Sequence, residues 1–292
     1  MTAIADAESA RIDNRSVDVS GTLAWASELG TLGDRQVENA LNGPYDVLIE
    51  TTATAVGDAE PAFSHVVRAL QQDRHVVLGN KRPVAERYSE VRAAEAASDG
   101  EVRFKATVGG PIPVLSMISD IGSEDVSGIH GVSNGLANFI LSRMTAERLG
   151  YEHVLAEAQD LGLAEMDPSF DVEGTDAGLT CSVLANVLDR SGTEWTLADI
   201  DLEGIKDIPG SALGLAREEG RTVRLIGEVS DDRVRVVPRL ISETSPLAVR
   251  GTRTVIQIQS KYVGSLTVSG AGATAPEVAA AILTDVNRLN DG

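Results

Sequence analysis

Two stretches decide the fold: YDVLIETTA at 45–53 and HVVLGNKRP at 75–83. Each holds a short apolar run, Val47 to Ile49 and Val76 to Leu78, that ends in small polar residues. Continuous apolar runs without inward–outward alternation are strands covered on both faces, as in a parallel sheet. Between them Phe63, Val66, Val67 and Leu70 recur at helical spacing, so the spacing predicts a helix over 60–71 and the unit reads strand–helix–strand. Working outward, a helix over 88–97 and a strand over 102–107 continue the alternation, while Thr2 to Ala5 reads as an earlier strand of the same sheet. Ligands in such sheets lie beyond the carboxyl ends of the strands. That rule gathers Asp6, the run Thr51 to Thr54 and Gly79-Asn80-Lys81 into one crevice.

After Pro111 and Pro113 the pattern changes. Helices are predicted over 138–148 and 151–161, leading into a polar loop and a further helix within GLAEMDPSFDVEGTDAGLTCSVLANVL (162–188). From about Thr222 the segments TVRLIGEVS, DRVRVVPRLI, RTVIQIQS and VGSLTVSG alternate inward and outward residues, the signature of an antiparallel or mixed sheet. GAGATA at 270–275 gives a turn, and Pro276 to Leu289 closes the chain as a helix with proline near its first turn.

Composition narrows the partners. The 292 residues carry 25 Lys plus Arg against 44 Asp plus Glu, a formal net charge of −19, which argues against nucleic acid or an anionic membrane. No apolar run approaches the length of a spanning helix, and MTAIADAESAR lacks the basic start and apolar stretch of a signal peptide, so a cytoplasmic protein is expected. One cysteine, Cys181, precludes an internal disulfide, and four scattered histidines give no zinc spacing. Only Lys81, Lys105, Lys206 and Lys261 are lysines. So acidic and lysine-poor a chain fits a halophilic, high-salt setting, where screening relieves self-repulsion; a GC-rich genome that exchanges Lys for Arg is the other reading.

A nucleotide-binding sheet normally opens with strand, G-x-G-x-x-G and helix, the pyrophosphate lying on the helix N-terminus. Gly21, Gly30, Gly33 and Gly43 match neither that spacing nor a position directly after a strand. Thr2 to Asp6 instead reads as a second strand with the terminal acid that accepts a ribose hydroxyl. On this reading the chain begins one strand–helix unit late.

The later segments resemble homoserine dehydrogenase. The resemblance is carried by VLGNKRPVA (77–85), FKATVGGPIPVL (104–115), GVSNGLANFILSRM (131–144) and LAEAQDLGLAEMDPSFDVEGTDAGLTCSVLA (155–185), and continues more weakly through SPLAVRGTRT (245–254) to the end. It implies a Rossmann-like α/β parallel sheet lacking its first strand–helix unit, joined to an α+β catalytic and dimerisation domain. The implied boundaries are 1–112 for the NAD(P)-binding part, 113–270 for the catalytic part and 271–292 for a returning helix. It also implies NAD or NADP as cofactor and a homodimer without a regulatory domain. The reaction would be the interconversion of L-homoserine and L-aspartate 4-semialdehyde, a step of threonine and methionine biosynthesis.

The same resemblance assigns residues. Glu165, Asp171 and Asp176 match an acidic cluster that grips the substrate amino group; in the absence of a ligand, acids there also suit a helix start. Lys81 falls beside the nicotinamide and the reacting oxygen, with Thr52 and Asn80 touching the cofactor. Asp6 favours a free 2′-hydroxyl and hence NAD, whereas Arg11 is near enough in sequence to meet a 2′-phosphate. The turn from Thr107 to Ile112 resembles one that holds a monovalent cation, sodium or potassium, through backbone carbonyls, here those of Val108, Gly110 and Ile112. Three departures cluster in the site. Thr180 stands where the family has its acid–base lysine, a loss worth on the order of 10²–10⁴ in rate. Leu136 and Ala137 replace hydroxyl residues in the segment Asn134-Gly135-Leu136-Ala137-Asn138, and Lys105 replaces the usual Glu. Two further readings follow: a non-catalytic relative that binds an amino-acid ligand or an active partner, and a dehydrogenase of altered substrate.

Overall fold

The computed structural model describes residues 1–54, 58–188, 192–271 and 274–290. Its first element differs from the sheet strand expected over Thr2 to Ala5. β1 (Ala3–Ala5) and β2 (Ala10–Ile12) pair antiparallel, Ala3 opposite Ile12 and Ala5 opposite Ala10, as a separate two-stranded sheet. The turn between them supplies the reason. The Asp6 carboxylate accepts from the backbone N–H groups of Glu8 (2.9 Å) and Ser9 (2.7 Å) and from the Ser9 hydroxyl (3.1 Å), reversing the chain where a crossover would need it to run on. Helices α1 (Val19–Leu29) and α2 (Val37–Leu41) follow.

The parallel sheet comprises β3 (Val47–Glu50), β4 (His75–Leu78) and β5 (Val102–Arg103), with Val47 opposite His75 and Val76 opposite Val102. Its crossover α3 (Ala62–Leu70) buries Phe63, Val66 and Leu70 as their spacing predicts, together with Ala69, and leaves Val67 half-buried. α4 (Arg82–Glu86) and α5 (Tyr88–Ala96) lead to β5. That strand is shorter than expected, because Lys105–Thr107 winds into a 3-10 turn. The backbone N–H of Lys105 donates to the buried Asp285 carboxylate at 2.7 Å instead of to a neighbouring strand.

The second half builds α6 (Val114–Ile121), β6 (Val126–Val132), α7 (Gly135–Glu147), α8 (Tyr151–Asp160), α9 (Ser169–Val172), α10 (Thr175–Leu188), β7 (Asp201–Leu202), α11 (Gly210–Glu218), β8 (Arg221–Val229), β9 (Val234–Ser242), β10 (Thr254–Ser260), β11 (Gly264–Gly270) and α12 (Ala275–Asn290). The strands order as β11-β10-β6-β8-β9-β7, antiparallel except for the β7–β9 pair, so the sheet is mixed. The alternating segments foretold four of the six strands; β6 was not anticipated, since VSGIHGV interrupts its apolar residues with two glycines and a histidine, nor was β7, which is only two residues long. α10 is buried from Ala177 to Asn186, which makes it a core helix covered on every side. It seats closely on the sheet: a Cβ at Gly227 of β8 would lie 2.4 Å from Cys181 Sγ. α12 returns to the first sheet, laying Ala281 and Ile282 against Val77 and Ala106. The turn expected at 270–275 falls partly outside the described residues.

Candidate active site

Lys81 stands at the start of α4, just beyond the carboxyl end of β4, and faces α10. Asp176 lies in the first turn of α10 and Thr180 one turn on, and this i, i+4 spacing puts both on one helix face. The Lys81 ammonium donates to Asp176 Oδ1 at 2.7 Å and to Thr180 Oγ1 at 3.1 Å. The Lys81 and Asp176 side chains keep 17% and 19% of their surface, withdrawn from bulk water yet reachable by a ligand. Thr180 is buried, and its hydroxyl donates in turn to the Asp176 carbonyl at 3.2 Å. At the position resembling a lysine, the chain therefore has a hydroxyl that orients a lysine from another element.

Asn134 closes the group from the other side. It caps α7, accepting from the Ala137 N–H at 2.8 Å, while its Nδ2 donates to Asp171 Oδ1 at 2.6 Å and Asp176 Oδ2 at 3.0 Å. Two carboxylates thus share one amide. Burial pushes the Asp171 carboxyl up, and the charges of Asp176 and Glu165 add to that rise against the opposing Asn134 bond and Lys81 charge. Glu165 itself is exposed, with its backbone carbonyl accepting from Gln159. Asp171 and Asp176, with the charge of exposed Glu165 acting on Asp171, outnumber the one Lys81 ammonium, and this acidic surplus suits a second, incoming cationic group.

A second polar group lines the ends of β3 and β4. Asn80 Nδ2 donates to Thr52 Oγ1 at 3.3 Å, Thr54 Oγ1 donates to Asn80 Oδ1 at 3.4 Å, and Asn80 Oδ1 also accepts from the Arg82 N–H at 3.0 Å. Beneath them lies buried Glu50, which takes the Thr52 N–H (2.8 Å) and hydroxyl (2.5 Å) on one oxygen and His65 Nδ1 (2.6 Å) on the other. Burial raises the Glu50 carboxyl, but the bonds from His65 and Thr52 outweigh it and hold it below the usual carboxylate range.

The structure thus brings together Lys81, Thr180, Asp171 and Asp176, with Glu165 at the rim and Thr52 and Asn80 beside them at the strand ends. Asp6, expected in the same crevice, is bonded instead within the β1–β2 turn, where the backbone N–H of Glu8 holds its carboxyl below the ordinary value. In the turn after β5, Gly109 and Gly110 adopt left-handed φ of 68° and 60°. There the Ile112 carbonyl accepts from the Val114 N–H at 3.0 Å, and the Lys105 ammonium donates to the Pro111 carbonyl at 2.6 Å. Glu50 and His65 escaped the sequence reading, and Asn134 entered it only as the first residue of a segment, with no role. An Asn before an apolar helix signals a cap, which Asn134 is, but nothing in its spacing signals the bridge it also makes. Cys181 is buried and its thiol is pushed up to about 12 by burial, so it is no nucleophile.

The homoserine dehydrogenase family profile matches residues 113–286. Homoserine dehydrogenase from Methanocaldococcus jannaschii is 32% identical over 98% of this chain and 87% of its own length. The chain belongs to the homoserine dehydrogenase family. The NAD(+)-dependent homoserine dehydrogenase of Pseudomonas canavaninivorans is 33% identical, over 84% of this chain and 71% of its own. Longer homoserine dehydrogenases are matched in part: the chain spans 58% of the one from Bacillus subtilis. Among solved structures, one from Archaeoglobus fulgidus carrying the homoserine dehydrogenase name superposes with a TM-score of 0.91, at 36% identity over 99% of this chain and 88% of that one. The homoserine dehydrogenase of Thiobacillus denitrificans gives 0.81 at 30% identity, over 92% and 62%. The expected parallel sheet and second, mixed sheet agree with these relatives. Among the described residues no helix is long and apolar enough to cross a membrane.

Proposed function

We propose that this chain interconverts L-homoserine and L-aspartate 4-semialdehyde with NAD(P), Lys81 being its proton-holding group. The observation that carries this reading is the Lys81 ammonium, held at 2.7 Å by Asp176 and at 3.1 Å by Thr180 between a strand end and an acidic cluster. The donor set at the ends of β3 and β4, with Thr52, Asn80 and Lys81 converging, suits the ribose hydroxyls and amide of a nicotinamide nucleotide. When bound, that nucleotide supplies or accepts the hydride. Lys81 Nζ gives its proton to the aldehyde oxygen as negative charge develops there, and takes it back in the reverse direction. Asp176 and Thr180 Oγ1 each accept one N–H of Lys81, which aims the remaining N–H at the substrate oxygen. The substrate ammonium docks among Asp171, Asp176 and Glu165, the first two held by Asn134.

On this reading residues 1–112 with the segment 271–292, which includes α12, hold the nucleotide, and 113–270 hold the substrate and form a homodimer through the six-stranded sheet. The setting is the cytoplasm, where nicotinamide-linked amino-acid metabolism runs. The test is homoserine-dependent reduction of NAD⁺ and of NADP⁺ at high salt. Turnover with either supports the proposal; no turnover, with homoserine still raising the melting temperature, refutes it in favour of a ligand-binding relative.

A further inference from the structure

The turn after β5 resembles a backbone-carbonyl site for a monovalent cation, yet a positive charge is already built into it. Lys105 is about nine-tenths buried, and its ammonium donates to the Pro111 carbonyl at 2.6 Å, between Gly110 and Ile112. The turn is closely packed around it. Ile112 covers Gly109 so tightly that a Cβ there would meet Ile112 Cγ1 at 2.6 Å, and the Ile112 carbonyl is occupied by the Val114 N–H. A counter-ion is also present: the buried Asp285 carboxylate from α12 accepts the Lys105 backbone N–H at 2.7 Å and acts on the Lys105 ammonium through its charge. Asp285 and Lys105 thus link the closing helix to the turn. The other charged groups facing Lys105 and Asp285 are Arg288 of α12 and Arg103 of β5, both cations. A sodium or potassium ion on the Val108, Gly110 and Ile112 carbonyls would therefore enter a pocket that holds an ammonium on the adjoining carbonyl, and like charges at such range repel strongly outside water. The residues present do not fit an added metal ion.

We propose that the Lys105 ammonium is the turn's own cation, tethered to the chain in place of a free one, so that this protein needs neither sodium nor potassium to order the segment from 105 to 112. A tethered cation loses less freedom on seating than a free ion and does not leave on dilution. Of the four lysines, Lys206 and Lys261 are exposed; the two withdrawn from solvent are Lys81, at the start of α4, and Lys105, in the turn after β5.

The test is thermal melting of the full chain at one fixed, high ionic strength in sodium, potassium or tetramethylammonium chloride, the last too bulky for a carbonyl turn. Matched ionic strength removes the general effect of screening on so acidic a protein. Melting needs no substrate, so its result stands apart from the proposed activity. The wild type is expected to melt within about a degree in all three salts. Lys105→Ala is expected to melt lower in tetramethylammonium and to recover by several degrees, saturably, in sodium or potassium (a degree or so per few tenths of a kcal/mol). A saturable sodium- or potassium-specific rise in the wild type overturns the proposal, as does a folded Lys105→Ala with no cation preference. Should alanine not fold, Lys105→Gln, which removes the charge and keeps a donor, takes its place, and the wild-type comparison decides by itself.

Discussion

The ammonium of Lys81 and the hydroxyl of Thr180 lie 3.1 Å apart, one at a strand end of the parallel sheet and the other on a helix buried against the mixed sheet. Lysine and threonine here form a pair in which one carries charge and proton and the other sets direction. Lys81→Met is expected to lower kcat by about 10²–10⁴, and Lys81→Arg nearly as much, because a guanidinium keeps the charge but does not release its proton near neutral pH. Steady-state kinetics together with melting curves check this. Arginine activity close to wild type would mean that charge alone is required.

Thr180→Val removes the acceptor while keeping shape. A lost bond to a charged group is worth about 1.5–3 kcal/mol, so kcat should fall roughly 10- to 100-fold. Thr180→Ser should recover most of the loss, with KM for homoserine changed by no more than about twofold in either variant. A purely structural role would instead lower the melting temperature and leave kcat per folded molecule intact.

Asp171 is half-buried beside two other acids, and its carboxyl is raised above the ordinary value by loss of solvent first and by Asp176 and Glu165 in addition. A raised carboxyl means the folded state binds its proton more tightly than the unfolded state. Stability is therefore lost as pH rises from the unfolded value, near 3.8, through the higher folded one. Asp171→Asn should melt higher than wild type at neutral pH, with the gain shrinking as pH falls toward 3.8. The same variant should raise KM for homoserine about 10-fold or more, since it removes one charge from the ammonium pocket. Calorimetry across pH and a KM measurement check the two halves.

Glu50 has the opposite sign. Its carboxyl is held below the usual range, so its contribution is present above the unfolded value near 4.5 and lost as pH falls through the folded one. Glu50→Gln should cost about 1.5–3 kcal/mol at neutral pH and flatten the acid limb of the stability curve. Because Glu50 positions Thr52, KM for the nucleotide should rise while KM for homoserine stays near wild type.

The net charge of −19 acts differently on the two substrates. A dinucleotide is an anion and is repelled; homoserine is a zwitterion without net charge. KM for the nucleotide should therefore fall as salt rises toward about 1 M, where the screening length is about 3 Å, and KM for homoserine should change little. Kinetics over a salt series check this, and a nucleotide KM that rises monotonically with salt would contradict it.

What the sequence revealed depended on how far apart the interacting residues lie. α3 and β4 were legible because their apolar residues repeat within a few positions; β3 is a strand where expected but not the buried one, with Val47 and Leu48 half-buried and Ile49 exposed, because β3 lies at the edge of its sheet. The start of the chain misled, because a strand of three residues carries no mark of its partner, and the Asp6 turn that selects β2 looks like any strand end. Within the site, Asp176 and Thr180 are four residues apart and could be placed on one face from spacing alone. Lys81 is 95 residues from Asp176, and Asn134 is 42, so those bonds belong to tertiary packing. Glu50 and His65, 15 apart across a crossover, read separately as an ordinary acid and an ordinary helix residue.

Two residues beyond Thr180, buried Ser182 reaches the Ala85 carbonyl of α4 at 2.5 Å and the Trp195 carbonyl at 2.7 Å. The helix that presents Asp176 and Thr180 is thus riveted, within one turn, to the helix that begins at Lys81, while Gly227 lets its other side press directly on the sheet. Parting the start of α4 from α10 would mean breaking the bond between buried Ser182 and Ala85, so the backbone footing from which Lys81 reaches Asp176 is laid down by the same packing that builds the core.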